Sequence, residues 1–281
     1  MGVDVFFAVL VAAGFHAGWN TLIKIRGDRI IVMAVVTLFG SIFSLMVAPF
    51  VEFPDSASWP FLGLTILLHT LYHLFLPMAY NHGDLGQVYP ISRGSAPLIV
   101  AIGALITVGE RLSPLALVGV LCLASGVVAL TFERQVNIRT RPKAVIFALV
   151  TGLMIASYTV VDGLGVRKAG TVLGFAVWLT IADGILTFII VYAWKGRDTI
   201  AVMKQNLSMG MLGGTMQVAA YWIIVWALAH APMASVSALR ETSVLIAALI
   251  STFILKEGYG VWRFISAGLV TLGLAATKSG S

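Results

Sequence analysis

Apolar residues come in long runs, broken at short intervals by clusters of charged and turn-forming residues. Ten runs are found, at 4–24, 29–50, 59–80, 84–108, 113–132, 143–163, 171–194, 206–229, 233–255 and 261–277. Each is close to the ~20 residues that a helix needs to cross ~30 Å of hydrocarbon. The breaks carry ordinary punctuation, such as Phe53-Pro54-Asp55, Glu110 to Pro114 and His230 to Pro232. The pattern predicts an all-α integral membrane protein of ten transmembrane helices, numbered below as spans 1 to 10. The connections are too short to hold a soluble domain, so any activity lies among the helices.

The chain also repeats itself. Shifting residues 85–130 forward by 147 lays Arg93 on Arg240, Glu110 on Glu257 and Gly126 on Gly273. An offset of 139 lays Ala17-Gly18-Trp19-Asn20 on Ala156-Ser157-Tyr158-Thr159, and one of 148 lays His69, Tyr72 and His73 on Gln217, Ala220 and Tyr221. Each half, 1–135 and 136–281, then holds five helices. Because five is odd, the halves enter the membrane from opposite sides, giving the two inverted repeats common among secondary transporters.

Composition agrees. Of 281 residues, 59% are hydrophobic and 11% charged, with a mean hydropathy of +0.97, whereas soluble domains carry roughly 25% charged residues. That excludes a soluble domain, a nucleic-acid binder and a disordered chain. The formal charge of +6 sits between the apolar runs and is read as a topology signal. Connections after odd-numbered spans hold 12 of the 18 Lys and Arg residues, and the other face holds 4 (Arg111, Arg167, Lys168 and Lys278). The positive-inside rule then places both termini outside, in a multi-pass protein of the cell's inner (plasma) membrane. No cleavable signal peptide is expected, since Met1 to Asp4 has no basic n-region. The single Cys122 makes no disulfide within one chain.

The end of each half carries the most specific motif. In the first, a small-residue-rich helix leads into Gly109-Glu110-Arg111-Leu112-Ser113 and then a helix reaching Gly126; in the second, Lys256-Glu257-Gly258-Tyr259-Gly260 leads into a helix through Gly273. With the repeat, these motifs resemble the drug/metabolite transporter superfamily, specifically its EamA-type ten-helix members, over essentially the whole chain. The second copy departs from that pattern where Lys256 replaces the usual glycine and Val244 stands opposite Pro97. The resemblance implies a secondary transporter or exporter of small polar metabolites, with a central cavity built by spans 1, 3, 4, 6, 8 and 9 and span 7 peripheral. The run Val88-Tyr89-Pro90-Ile91-Ser92-Arg93-Gly94 is also similar to a subgroup associated with phosphonate utilisation.

Charged side chains near the bilayer centre cost about 2.5–3.5 kcal/mol each on insertion scales and commonly mark pathways. Arg93, Arg240, Glu241 and Asp183 fall near the middles of their spans. Arg93 and Arg240 are either guanidinium forks for a carboxylate, phosphate or phosphonate, or structural bridges such as Arg93 with Glu241. Glu241 can receive a substrate amine, carry a coupling proton or neutralise an arginine. Asp183 is either a proton site or, as the peripheral place of span 7 in the resembling family favours, held by a local polar partner. Polar residues also stack at i, i+3 and i+4, the spacing of one helix face. These are His16, Trp19 and Asn20; His69, Tyr72 and His73; Tyr158, Thr159 and Asp162; and Gln217 with Tyr221. They read as a cavity lining or as interhelical hydrogen bonds. Tyr89 joins them as a substrate-binding candidate. His69 and His73 lack the further ligands of a metal site, so no metal is expected, and they are more plausible as proton-titrating or substrate-bonding groups.

These features favour a secondary active transporter of a small anionic or zwitterionic metabolite, such as an amino acid or a phosphonate-like compound, working by alternating access. Export is taken as its direction, although importers share the architecture. No nucleotide-binding loop is present, so no cofactor is expected and the substrate gradient or protons supply the drive. The partners expected are the substrate and the bilayer, with a monomer sufficient, a dimer not excluded and no nucleic acid. Two alternatives stand: an aromatic-lined site for choline or another quaternary or aromatic amine, and an intramembrane enzyme. Against the enzyme, no Ser/His/Asp motif or catalytic aspartate pair appears, and no catalytic residue is assigned.

Overall fold

A computed structural model describes residues 1–24, 28–82, 85–134, 142–246 and 261–280. The helices are α1 (Val3–Lys24), α2 (Arg29–Val47), α3 (Trp59–His82), α4 (Leu85–Val108), α5 (Pro114–Ala129), α6 (Pro142–Val166), α7 (Val172–Lys195), α8 (Arg197–Gln205), α9 (Leu207–His230), α10 (Met233–Arg240) and α11 (Val261–Ser279). Among the described residues, eight helices, α1 to α7 and α9, are long and apolar enough to cross a membrane, and the apolar part of α11, Phe264–Ser279, is shorter. No strand occurs among the described residues.

Local chemistry sets the ends. Ser113 accepts the Ala116 N–H at the start of α5, with Pro114 in the first helical position, and Thr171 accepts the Gly174 N–H at the start of α7. Both are ordinary N-caps. Two features differ from the apolar-run pattern. The 195–206 connection folds into α8, because Gly196 at φ 62° lets the chain turn sharply off α7 and start again. Its nine residues hold only a four-residue apolar stretch, Ile200 to Met203, between polar ends, so a search for long apolar runs passes over it. Span 9, expected as one helix over 233–255, is interrupted: α10 stops at Arg240, Glu241 sits in a turn, and helix resumes over 242–246. The rest of that span, with Lys256 and Glu257, lies outside the described residues.

The packing has the symmetry that the repeat requires. Helix α5 packs on α11, α2 on α7, and α4 on α10, so spans 5/10, 2/7 and 4/9 each meet their own repeat partner. Helix α3 packs on α6 and α1 on α9, which pairs spans 3/6 and 1/8; exchanging each span with its partner turns one pair into the other. A two-fold axis in the membrane plane gives this pattern, and the fold is an all-α pair of inverted repeats.

Glycine permits the closest approaches. A Cβ on Gly184 of α7 runs into Ser41 Oγ and the Thr37 carbonyl of α2, and one on Gly214 of α9 comes within 2.7 Å of the Gly40 nitrogen. Ser41 Oγ then donates to the Thr180 carbonyl at 2.9 Å. Large apolar side chains such as Phe50, Ile106 and Phe264 are exposed, while Arg93 and Glu241 are buried. This is the inside-out distribution of a bilayer-embedded bundle.

One end of the bundle is fastened by polar contacts between the halves. Glu110, just after α4, accepts from Arg167 at 2.7 Å and from the Met233 backbone N–H at 2.8 Å. Arg167, just after α6, also donates to the Leu228 and Ala231 carbonyls at 3.0 Å each. At the other end, Lys195 bonds Asp28 at 2.7 Å. Burial pushes the Asp28 carboxyl up, but Lys195 and the Ile30 N–H more than offset it and hold the group below the usual carboxylate range.

Candidate functional site

The helices surround a narrow central cavity of about 60 Å³, room for a few water molecules. Helix α1 contributes His16 and Trp19 to its wall, α3 contributes His69, Tyr72 and His73, and α6 contributes Tyr158. Helix α7 adds Thr180 and Asp183, α9 adds Gln217 and Tyr221, and α10 adds Arg240. Most residues of the i, i+3, i+4 stripes therefore converge on one space, while Asn20, Thr159 and Asp162 are not in its wall.

The rings make a continuous surface. His69 stacks on Tyr158 with centroids 3.9 Å apart, Tyr72 meets Tyr158 edge-on at 5.6 Å, and His16 meets Trp19 edge-on at 4.9 Å. The Arg240 guanidinium lies 5.6 Å from the Tyr158 ring centroid.

Behind this surface stand the buried charges. Arg93 Nε lies 2.8 Å from Glu241 Oε2, and Arg93 also donates to Ser243 at 3.3 Å. The other oxygen, Glu241 Oε1, lies 3.7 Å from Arg240 Nε. Two cations thus share one carboxylate, with Arg93 holding the shorter contact. Neither Arg93 nor Glu241 lines the cavity; Arg240 does. Among the described residues, Arg240 Nε and Nη2 are buried without a hydrogen-bond acceptor, an arrangement that costs free energy until an acceptor arrives.

Two further clusters hang from α3. Asp162 of α6 accepts from Thr65 and from the Tyr221 hydroxyl at 2.7 Å, and lies 3.2 Å from His69 Nε2. Asp183 of α7 lies 3.3 Å from His73 Nδ1 and accepts from Thr70 at 3.2 Å and Thr187 at 3.3 Å. All of these carboxylates are buried.

The remaining candidates fall elsewhere. Asn20 donates to the His16 carbonyl of its own helix at 2.9 Å and does not line the cavity. The Tyr89 side chain lies outside the described residues. The family resemblance set span 7 at the periphery, yet Leu179, Thr180 and Asp183 are wall residues, together with Thr37 and Gly40 of α2, while no described side chain of α4 is one. The glycines of α2, α7 and α9 bring those helices inward. Asp183 was the available signal: a carboxylate is rarely left in a helix that faces only lipid.

A family model described as the EamA-like transporter family matches the chain twice, over residues 5–132 and 142–278. The chain belongs to this family. An EamA-like protein is a transporter of small molecules, and the resemblance first read from the Gly109 to Ser113 motif and the repeat is thereby shown. A solved structure described as "Crystal structure of protein" matches this EamA-like chain at a TM-score of 0.74 and 15% identity, covering 97% of this chain and 94% of that one. At that identity it shows the fold alone. No curated protein matches the sequence.

Proposed function

We propose that this EamA-like protein is a secondary active transporter of a small anionic or zwitterionic polar metabolite, such as an amino acid or a phosphonate-like compound. The halves, 1–135 and 136–281, rock around the central cavity. The observation that carries the reading is Arg240, a buried guanidinium in the cavity wall with donors that lack an acceptor. A carboxylate or phosphonate supplies that acceptor. Trp19, Tyr72, Tyr158 and Tyr221 hold the apolar part of the substrate, and Gln217 and His16 bond its polar edge. The Lys and Arg distribution supports both termini outside the cell membrane. A monomer suffices, since one chain closes the cavity. Membership of a transporter family supports transport rather than an enzyme.

The test is thermal stabilisation of the purified protein by amino acids, phosphonates, phosphate esters and quaternary amines. A ligand at 100 times its Kd stabilises by about 2.7 kcal/mol, and Arg240→Ala is expected to remove the response to anions. Stabilisation by quaternary amines alone, intact in Arg240→Ala, favours the aromatic-lined amine site and overturns the anion reading. Turnover of a panel member in detergent indicates an enzyme, because a transporter needs a sealed compartment.

A further inference from the structure

His69 and His73 lie one turn apart on α3, in the first half of the chain. Their carboxylate partners, Asp162 on α6 and Asp183 on α7, both come from the second half. Each imidazole–carboxylate pair therefore spans the boundary across which alternating access has to work. Each carboxylate also accepts from two hydroxyl donors: Thr65 and Tyr221 on Asp162, Thr70 and Thr187 on Asp183. The hydroxyl protons already face the carboxylate oxygens, so the imidazole nitrogen opposite is the open base of each pair. Both imidazoles line the cavity, where water or substrate reaches them.

The charge surroundings fix what protonation does. Facing the pair from other helices are His16 of α1, Tyr158 of α6, Tyr221 of α9, and Arg240 of α10 with Arg93 of α4 and Glu241 behind it. Arg93 and Arg240 set against Glu241, Asp162 and Asp183 leave one net negative charge when both imidazoles are neutral. One proton makes this buried set neutral, and two make it positive by one. Moving uncompensated charge at bilayer depth is costly, so the species that change access are those with no net charge. These are the empty carrier with one proton and the carrier holding a monoanion with two.

Resting on the anion-transport reading above, we infer that His69 and His73, each with its aspartate, are the proton-binding sites that couple transport, and that one proton travels in the same direction as each monoanion. The proton binds an imidazole lone pair on one side and leaves the same nitrogen on the other, and no other bond changes. Net movement then follows the proton gradient, so an inward gradient drives uptake, the reverse of the export direction expected from sequence.

The test has two arms. In the first, protein labelled with ¹⁵N-histidine is reconstituted in nanodiscs and titrated from pH 8 to pH 5; it carries five histidines, and His69→Gln and His73→Gln assign the two signals. Both are expected to pass between neutral and protonated forms in this range. Asp162→Asn, nearly isosteric, is expected to suppress the protonated signal of His69 alone, and Asp183→Asn that of His73 alone. Imidazoles that stay neutral throughout, or that ignore their aspartate, overturn the assignment. In the second arm, methylphosphonate is added to lightly buffered wild-type protein. Uptake close to one proton per bound anion is expected, falling about fivefold or more when Asp162→Asn and Asp183→Asn are combined, as linkage requires. Binding without proton uptake overturns the coupling and leaves the anion reading standing. No stabilisation by any anion counts against the anion reading, and the histidine titration still decides whether the two pairs take up protons.

Discussion

Glu241→Gln should be among the most damaging single-atom changes in this protein. Glu241 is fully buried, and its Oε2 lies 2.8 Å from Arg93 Nε, itself only 1% exposed. The amide keeps the shape but removes the charge, leaving Arg93 and Arg240 as two buried cations with no carboxylate between them. Breaking a buried pair by neutralising one partner costs about 3–5 kcal/mol. At about 2 °C per kcal/mol for a chain of this size, the melting temperature in detergent should fall by about 6–10 °C. Removing two charges together is different: Arg93→Met with Glu241→Leu replaces the shorter pair by apolar side chains of similar volume and leaves one buried cation, Arg240, instead of two. The double variant should therefore be more stable than Glu241→Gln, with coupling between the two positions of at least about 1 kcal/mol in the cycle. A loss below about 1 kcal/mol in Glu241→Gln, or additive losses in the double variant, would refute the view that this pair neutralises buried charge.

Gly184→Leu should prevent α7 from seating on α2, since even a Cβ there strikes Ser41 and the Thr37 carbonyl, whereas Gly63→Leu meets open space and should leave yield and melting unchanged. Overpacking of this kind costs about 1–3 kcal/mol or more, readable as lost monodisperse protein on size exclusion. Asp28→Asn retains a cap for α2 and removes the charge facing Lys195. Because folding lowers this carboxyl below its free value, the pair stabilises above the free pKa of about 3.9 and loses its contribution as pH falls through the folded value. The melting gap between wild type and Asp28→Asn should thus be under about 1 kcal/mol at neutral pH and close below about pH 4.

Much of the fold was legible because bilayer depth imposes a length on every helix and the repeat imposes a partner on each. The ends of α4, α7 and α9 fall within two residues of where charge and turn residues placed them. The break at Glu241 was not legible, since Leu239 to Leu245 reads as continuous helix and only tertiary burial of Arg93 against Glu241 marks the site. Helix α8 escaped for the opposite reason, being too polar for an apolar-run search. In the cavity, Trp19, Tyr72, Tyr158 and Tyr221 followed from spacing alone. The pairing of His73 with Asp183 did not, because it depends on how far α7 leans inward, and that is set by Gly184 against Ser41 and Thr37.

The fastening around Glu110 has a kinetic consequence. One carboxylate from the first half holds both Arg167 and the first N–H of α10, and the same guanidinium ties down two carbonyls at the end of α9. Parting the halves at that end breaks Glu110's bonds to Arg167 and to the Met233 N–H together, while Arg167 keeps its two carbonyls. Opening there should therefore be concerted. Its rate should be steeply temperature-dependent, and the mouth should be seen open or shut but seldom in between.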